Sequence, residues 1–160
     1  MADRFANNRA RLAALVGEGA LVVVPAAGET VRNDDVTHEF RQDSSFFFLT
    51  GFDEPEAVAV IAPGHPEAEF SLFVRPRDRE MEVWNGYRAG VEGARSAFGA
   101  DAAHEVADFS KELRKLAIGR ERLYYALGGS HDDTVIGLLR TMRAHHQSYG
   151  VPVPLDVSDL

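Results

Sequence analysis

Six consecutive residues, Asp34-Asp35-Val36-Thr37-His38-Glu39, carry three carboxylates and an imidazole, the ligand types that a hard divalent ion selects. Such a run becomes a metal site only when its side chains converge and distant residues complete the shell, so the segment reads as a solvated loop. Asp132, Asp133, His145 and His146 form a second set. Acids at the start of a helix and imidazoles at its end, beside Arg140 and Arg143, complement the helix dipole. Twelve or more residues at ~1.5 Å each hold the two pairs roughly 18 Å apart, too far to share an ion. His65 and His104 are isolated. No phosphate-binding glycine loop, Gly-x-Ser-x-Gly elbow or His-Glu-x-x-His pair occurs. Gly128-Gly129-Ser130 reads as a turn in which Ser130 caps the following helix. These residues predict neither a catalytic group nor a metal ligand in the segment.

The elements around them divide into two halves. Phe5, Leu12, Leu15 and Val16 recur at helical spacing from Asp3 to Val16, and Gly17 and Gly19 end the helix. Ala20-Leu21-Val22-Val23-Val24 reads as a strand buried on both faces. A polar loop then leads to three strand-like runs over 45–50, 57–61 and 69–74, joined by turns too short for a helical crossover, which predicts an antiparallel meander. In the second half a helical turn over 91–98, a helix marked by Val106, Phe109, Leu113 and Leu116, a strand over 122–127, a helix over 132–146 and an edge strand over 153–157 alternate. The fold class predicted is α/β: a mixed sheet of about six strands, an antiparallel meander followed by a parallel βαβαβ segment, flanked by helices.

With 160 residues, 45% of them hydrophobic, the chain suits a single domain over 1–160. A formal charge of −8, with its basic residues dispersed, disfavours nucleic acid and anionic membranes as partners. The absence of cysteine suits a reducing compartment, and the polar amino terminus lacks a signal peptide's apolar core, so the location expected is cytoplasmic.

Two stretches go further. His38-Glu39-Phe40-Arg41-Gln42-Asp43-Ser44-Ser45-Phe46-Phe47-Phe48-Leu49-Thr50-Gly51-Phe52-Asp53-Glu54-Pro55-Glu56-Ala57-Val58 resembles the motif of the amino-terminal domain of aminopeptidase P, in the creatinase and prolidase group. Phe73-Val74-Arg75-Pro76-Arg77-Asp78 followed by Glu82-Val83-Trp84-Asn85-Gly86-Tyr87-Arg88-Ala89-Gly90 resembles the second motif of that family. Phe40 stands where the family often has Tyr, and Tyr87 where a second Arg is common.

The resemblance implies a ribonuclease H-like, creatinase-type amino-terminal domain. It implies an accessory, oligomerising and substrate-pocket role beside a separate carboxy-terminal catalytic domain in which two metal ions, typically manganese, cleave Xaa-Pro peptides. The 160 residues alone would then be no enzyme, while the full-length parent would be a hydrolase. Homodimers or homotetramers and proline-containing peptides are the implied partners. Trp84 corresponds to an aromatic that reaches a neighbouring subunit's cleft; the alternative is that it caps its own core. Gly51 supplies a turn, Pro55 fixes the turn before the next strand, Phe52 and the preceding phenylalanines fill the core, and Arg41, beside Gln42, Asp43 and Glu54, pins the loop between strands. Arg88 completes the second motif. The chain stops where the family's chain would continue into its linker, which favours a fragment over the alternative of a stand-alone, non-catalytic interaction domain that binds peptides or proteins.

Overall fold

The computed structural model describes residues 2–29, 31–33, 36–37, 40–78, 80 and 86–159. Helix α1 (Ala2–Val16) ends at Gly17, and β1 (Ala20–Pro25) follows; a short pair, β2 (Val31–Asn33) and β3 (Val36–Thr37), occupies the stretch expected to be loop. Next come α2 (Ser44–Thr50), β4 (Val58–Ile61), β5 (Phe70–Val74), α3 (Gly90–Phe98) and β6 (Ala102–Glu105). A 3-10 turn (Val106–Asp108) leads into α4 (Phe109–Ala117), then β7 (Arg122–Tyr124), α5 (Asp132–Tyr149) and β8 (Val157–Ser158).

The main sheet has six strands in the order β6-β5-β4-β1-β7-β8. Strand β4 pairs antiparallel with both β1 and β5, whereas β5–β6, β1–β7 and β7–β8 are parallel. One mixed sheet therefore joins a meander of β1, β4 and β5 to parallel flanks, the α/β class read from the pattern.

Alternate residues of β1 feed two cores. Leu21 and Val23 join Val60, Phe73 and Leu123 beneath α4 and α5, whereas Val22 and Val24 join Ala59, Ile61 and Leu72 beneath α1, α2 and α3. A strand covered on both faces must be apolar at every position, which is why 20–24 is a continuous hydrophobic run.

Two element assignments exchange places. Residues 45–50 form a helix, not a strand. The Asp43 carboxylate accepts from the Phe46 amide at 2.8 Å, Gly51 closes the end at φ 67, and burial falls on Phe46, Leu49 and Thr50, a helical period. Phe47 and Phe48 are 40% and 46% exposed, so of the three phenylalanines at 46–48 only Phe46 fills the core. The sixth strand is instead β6, whose sequence, Ala102-Ala103-His104-Glu105, has no strand-like apolar run. It forms because parallel pairing with β5 satisfies its backbone. Strands β7 and β8 are also shorter than their sequence runs, and β8 does lie at the sheet's edge.

The carboxyl ends of β1, β5, β6, β7 and β8 share one rim of the sheet with the amino end of β4. The opposite rim holds the end of α1 and the turn over 62–69. There Arg120 donates to the Pro63 carbonyl at 2.8 Å, and the Asp101 carboxylate accepts from the Glu69 and Phe70 amides. Among the described residues, no helix is long and apolar enough to cross a membrane.

Candidate functional site at the carboxyl rim

Open α/β sheets bind ligands beyond the carboxyl ends of their strands, and the described loop residues of both sequence motifs lie on that rim. The first is organised by Gln42. Its Oε1 accepts from the amides of Ala27 and Asp43, each at 2.9 Å, and its Nε2 donates to the carbonyls of Phe52 at 3.3 Å and Glu54 at 2.9 Å. Only a carboxamide supplies two acceptor sites and two donors in one planar group. It joins the loop after β1 to the loop before β4. The pinning assigned to Arg41 thus belongs to Gln42: Arg41 is exposed on the wall of a cavity, with no hydrogen bond or ion pair among the described residues.

The rest of this motif is structural at close range. Gly51 has a left-handed conformation, and a Cβ there would lie 2.4 Å from Cε2 of Phe5. Phe52 is buried, edge-on to Phe46 and to Phe98 of α3. Pro55 is buried at the entrance to β4. Glu54 reaches across the rim: its Oε1 accepts from the Ala89 amide at 2.6 Å, and its Oε2 is buried without a partner among the described residues.

A cavity of about 650 Å3 opens between the loop after β1, residues 41–45 and the loop after β7, with Arg41 and Asp159 on its wall. Behind it, the buried Tyr125 hydroxyl donates to the Asp132 carboxylate at 2.8 Å, and that carboxylate also accepts from the amides of Gly128 and Gly129. The N-cap position expected for Ser130 is held by His131, without a side-chain cap bond, and the Asp132 carboxylate of the first turn ties down the preceding Gly128-Gly129 turn and not the free amides of the helix. Asp133 is exposed beside it, and His145 and His146 lie exposed at the other end of α5.

Burial, and then the Asp132 hydrogen bond, push the Tyr125 hydroxyl up to about 12. The Tyr125 hydroxyl, followed by the Gly128 amide, holds the Asp132 carboxyl below its ordinary value. A raised tyrosine contributes stability that is complete below about pH 10 and lost as pH rises through about 12. A depressed carboxyl contributes stability present above its ordinary value and lost as pH falls through the lowered one. Tyr125→Phe should therefore lower the melting temperature by a few degrees at neutral pH, remove the alkaline loss and shrink the acid one. Melting curves followed by circular dichroism from pH 2 to 12 test this, and unchanged limbs would refute the pairing.

The second motif begins where β5 ends. Arg75, largely buried, pairs with Glu29 at 3.7 Å, and the Arg77 guanidinium lies 5.2 Å from the centre of the Tyr87 ring. Tyr87 is 69% exposed and Arg88 half-buried. Trp84 lies outside the described residues, as do Asp34, Asp35, His38 and Glu39 of the acidic cluster. Of the remaining histidines, His65 Nδ1 accepts from the Glu67 and Ala68 amides, and burial, followed by Arg120, lowers its pKa. His104 stacks on Phe73. Among the described residues no three His, Asp or Glu side chains gather as a metal site, so these residues do not fit a pair of metal ions.

Residues 5–125 match the family model described as aminopeptidase P, N-terminal domain. The chain belongs to that family. A Xaa-Pro aminopeptidase of Haemophilus influenzae is 34% identical over 123 residues, which cover 77% of this chain and 29% of that protein. A solved structure of Pseudomonas aeruginosa aminopeptidase PepP aligns over 100% of this chain and 36% of its own, with a TM-score of 0.91 and 39% identity. Escherichia coli aminopeptidase P, solved zinc-substituted in complex with product, aligns over 99% and 37%, with a TM-score of 0.89 and 30% identity. The chain thus spans about a third of the relatives it matches. In both solved structures the matched segment is by extent the smaller part of a longer chain.

What sequence reasoning missed at this rim is the link between the motifs, Glu54 to the Ala89 amide, 35 residues apart. A side chain to backbone bond of that separation leaves no local pattern.

Proposed function

We propose that residues 1–160 are one accessory domain of a dimetal Xaa-Pro aminopeptidase, which removes the amino-terminal residue from peptides with proline in second position. The asymmetry of coverage supports this most directly: all of this chain, but only 36% of the Pseudomonas aeruginosa protein, aligns. In this reading the domain packs on its own carboxy-terminal catalytic domain and assembles homodimers or homotetramers. It also presents Trp84 to a neighbouring subunit's cleft, where a flat aromatic packs on proline rings at low entropic cost. The two divalent ions, manganese in this proposal, belong to the catalytic domain and polarise the scissile carbonyl. The cysteine-free composition suits a cytoplasmic setting.

The test compares the 160-residue chain with the full-length polypeptide on a Xaa-Pro peptide with manganese. The full-length protein should turn over and the isolated chain should not; metal-dependent turnover by the isolated chain would sink the proposal. In the full-length protein Trp84→Ala should reduce kcat/KM about tenfold without changing the melting temperature. Unchanged kinetics would remove Trp84 from the pocket. A reading frame without metal ligands beyond residue 160 would favour a stand-alone binding module.

A further inference from the structure

Asn8, Arg11, Leu12 and Leu15 follow one another at helical spacing and line a groove between α1 and α2. Two bonds set the width of that groove. The buried Asn8 donates through Nδ2 to the Phe48 carbonyl at 2.8 Å, and Arg9 donates to the Leu49 carbonyl at 2.9 Å. The last carbonyls of a helix have no partner within it, so α1 satisfies the end of α2 and the two helices can neither part nor close without losing these bonds. The space held open between them is about 460 Å3, within the range of roughly 300–1,000 Å3 typical of small-molecule sites, with the buried Val24 of β1 at its base. Its sides are apolar. Leu15 is 85% exposed, and with Phe48 and Leu12 it surrounds one cavity, unlike the scattered single leucines of an ordinary surface.

The charge of the groove is as selective as its shape. Arg11 is the one charged residue among the described residues that line it, and Arg11 makes no hydrogen bond or ion pair among the described residues. Ser44 and Ser45 add two hydroxyls. Four other cavities of the molecule are each lined by two carboxylates. In a chain of formal charge −8, an apolar groove whose one charge is positive favours an apolar anion over a neutral or cationic molecule of the same size. A single guanidinium matches a carboxylate in charge and in its two-pronged geometry, whereas a phosphate dianion would leave a charge uncompensated.

We propose that the α1–α2 groove is a binding site for a medium-chain monocarboxylate, its alkyl chain on Leu12, Leu15, Val24 and Phe48 and its carboxylate on the Arg11 guanidinium. The site goes beyond the peptidase reading and does not depend on it.

Octanoate is the probe. Isothermal titration of the 160-residue chain should give saturable binding at one site, and octan-1-ol, which keeps the alkyl chain and removes the charge, should bind about fivefold more weakly. Butyrate, with its much shorter chain, should not saturate. Arg11→Gln should weaken octanoate about fivefold and leave octan-1-ol unchanged, whereas Leu15→Gln should weaken both. Both side chains are exposed, so the variants should keep the starting melting temperature. Absence of saturable octanoate binding overturns the proposal, as does an affinity that neither substitution changes. A dimer in sedimentation equilibrium that Leu15→Gln abolishes and octanoate does not compete with would assign the groove to a second copy of the chain. Octanoate binding that is lost in the full-length polypeptide would assign it to a contact between domains. Either result overturns the proposal, and neither bears on whether the full-length protein cleaves Xaa-Pro peptides.

Discussion

Gly51→Ala should lower the stability of the domain by about 2–4 kcal/mol in urea unfolding, from two separable causes. The first is local. Gly51 closes α2 at φ 67 and ψ 4, with its amide donating to the Phe47 carbonyl at 2.8 Å, and a side chain in the left-handed region costs roughly 1–2 kcal/mol. The second is the Phe5 ring of α1, which lies where the new methyl would go and also packs edge-on to Phe47 at 5.8 Å. Moving that ring loosens α1 from α2. The causes separate in a Phe5→Ala background, where the obstruction is gone and the cost should fall to the conformational part, roughly 1–2 kcal/mol. Equal costs in both backgrounds would show that the ring contact contributes nothing.

Gln42→Glu should be about as damaging, roughly 2–5 kcal/mol, although it changes one atom. The replaced amide nitrogen donates to the Phe52 and Glu54 carbonyls, so the new oxygen removes two donors and faces two acceptors. Repulsion raises the folded-state pKa of the introduced carboxyl above its unfolded value. The variant is therefore least impaired below the unfolded value, and its deficit grows as pH rises through the folded one. Gln42→Ala lacks the repulsion and should show a smaller, pH-independent loss. Urea midpoints for both variants between pH 3 and pH 8 make the comparison, and a flat profile for Gln42→Glu would exclude this account of the four-bond hub.

The sheet was legible because its central strands are buried on both faces, which forces an unbroken apolar run at 20–24 and similar runs at 57–61 and 70–74. The exchanged elements mislead for opposite reasons. Phe46-Phe47-Phe48 has strong strand propensity, but its ends, Asp43 and Gly51, are helix caps, and over seven residues the caps prevail. At Ala102-Ala103-His104-Glu105 no side-chain pattern marks a strand, because its pairing comes from the backbone of β5. At the rim, resemblance located the motifs. It did not reveal which residue does the tying, since Arg41 and Gln42 are adjacent in sequence and only the fold turns one inward and the other to solvent.

The two rims of the sheet are unequally committed. The described parts of both motifs and the large cavity use one of them, while the turn over 62–69 lies on the other. In a chain with no native thiol, a cysteine installed at the exposed Glu67 gives a single chemical handle on the far side of the molecule. A dye or a tether attached there leaves the motif-bearing surface open to whatever docks on it.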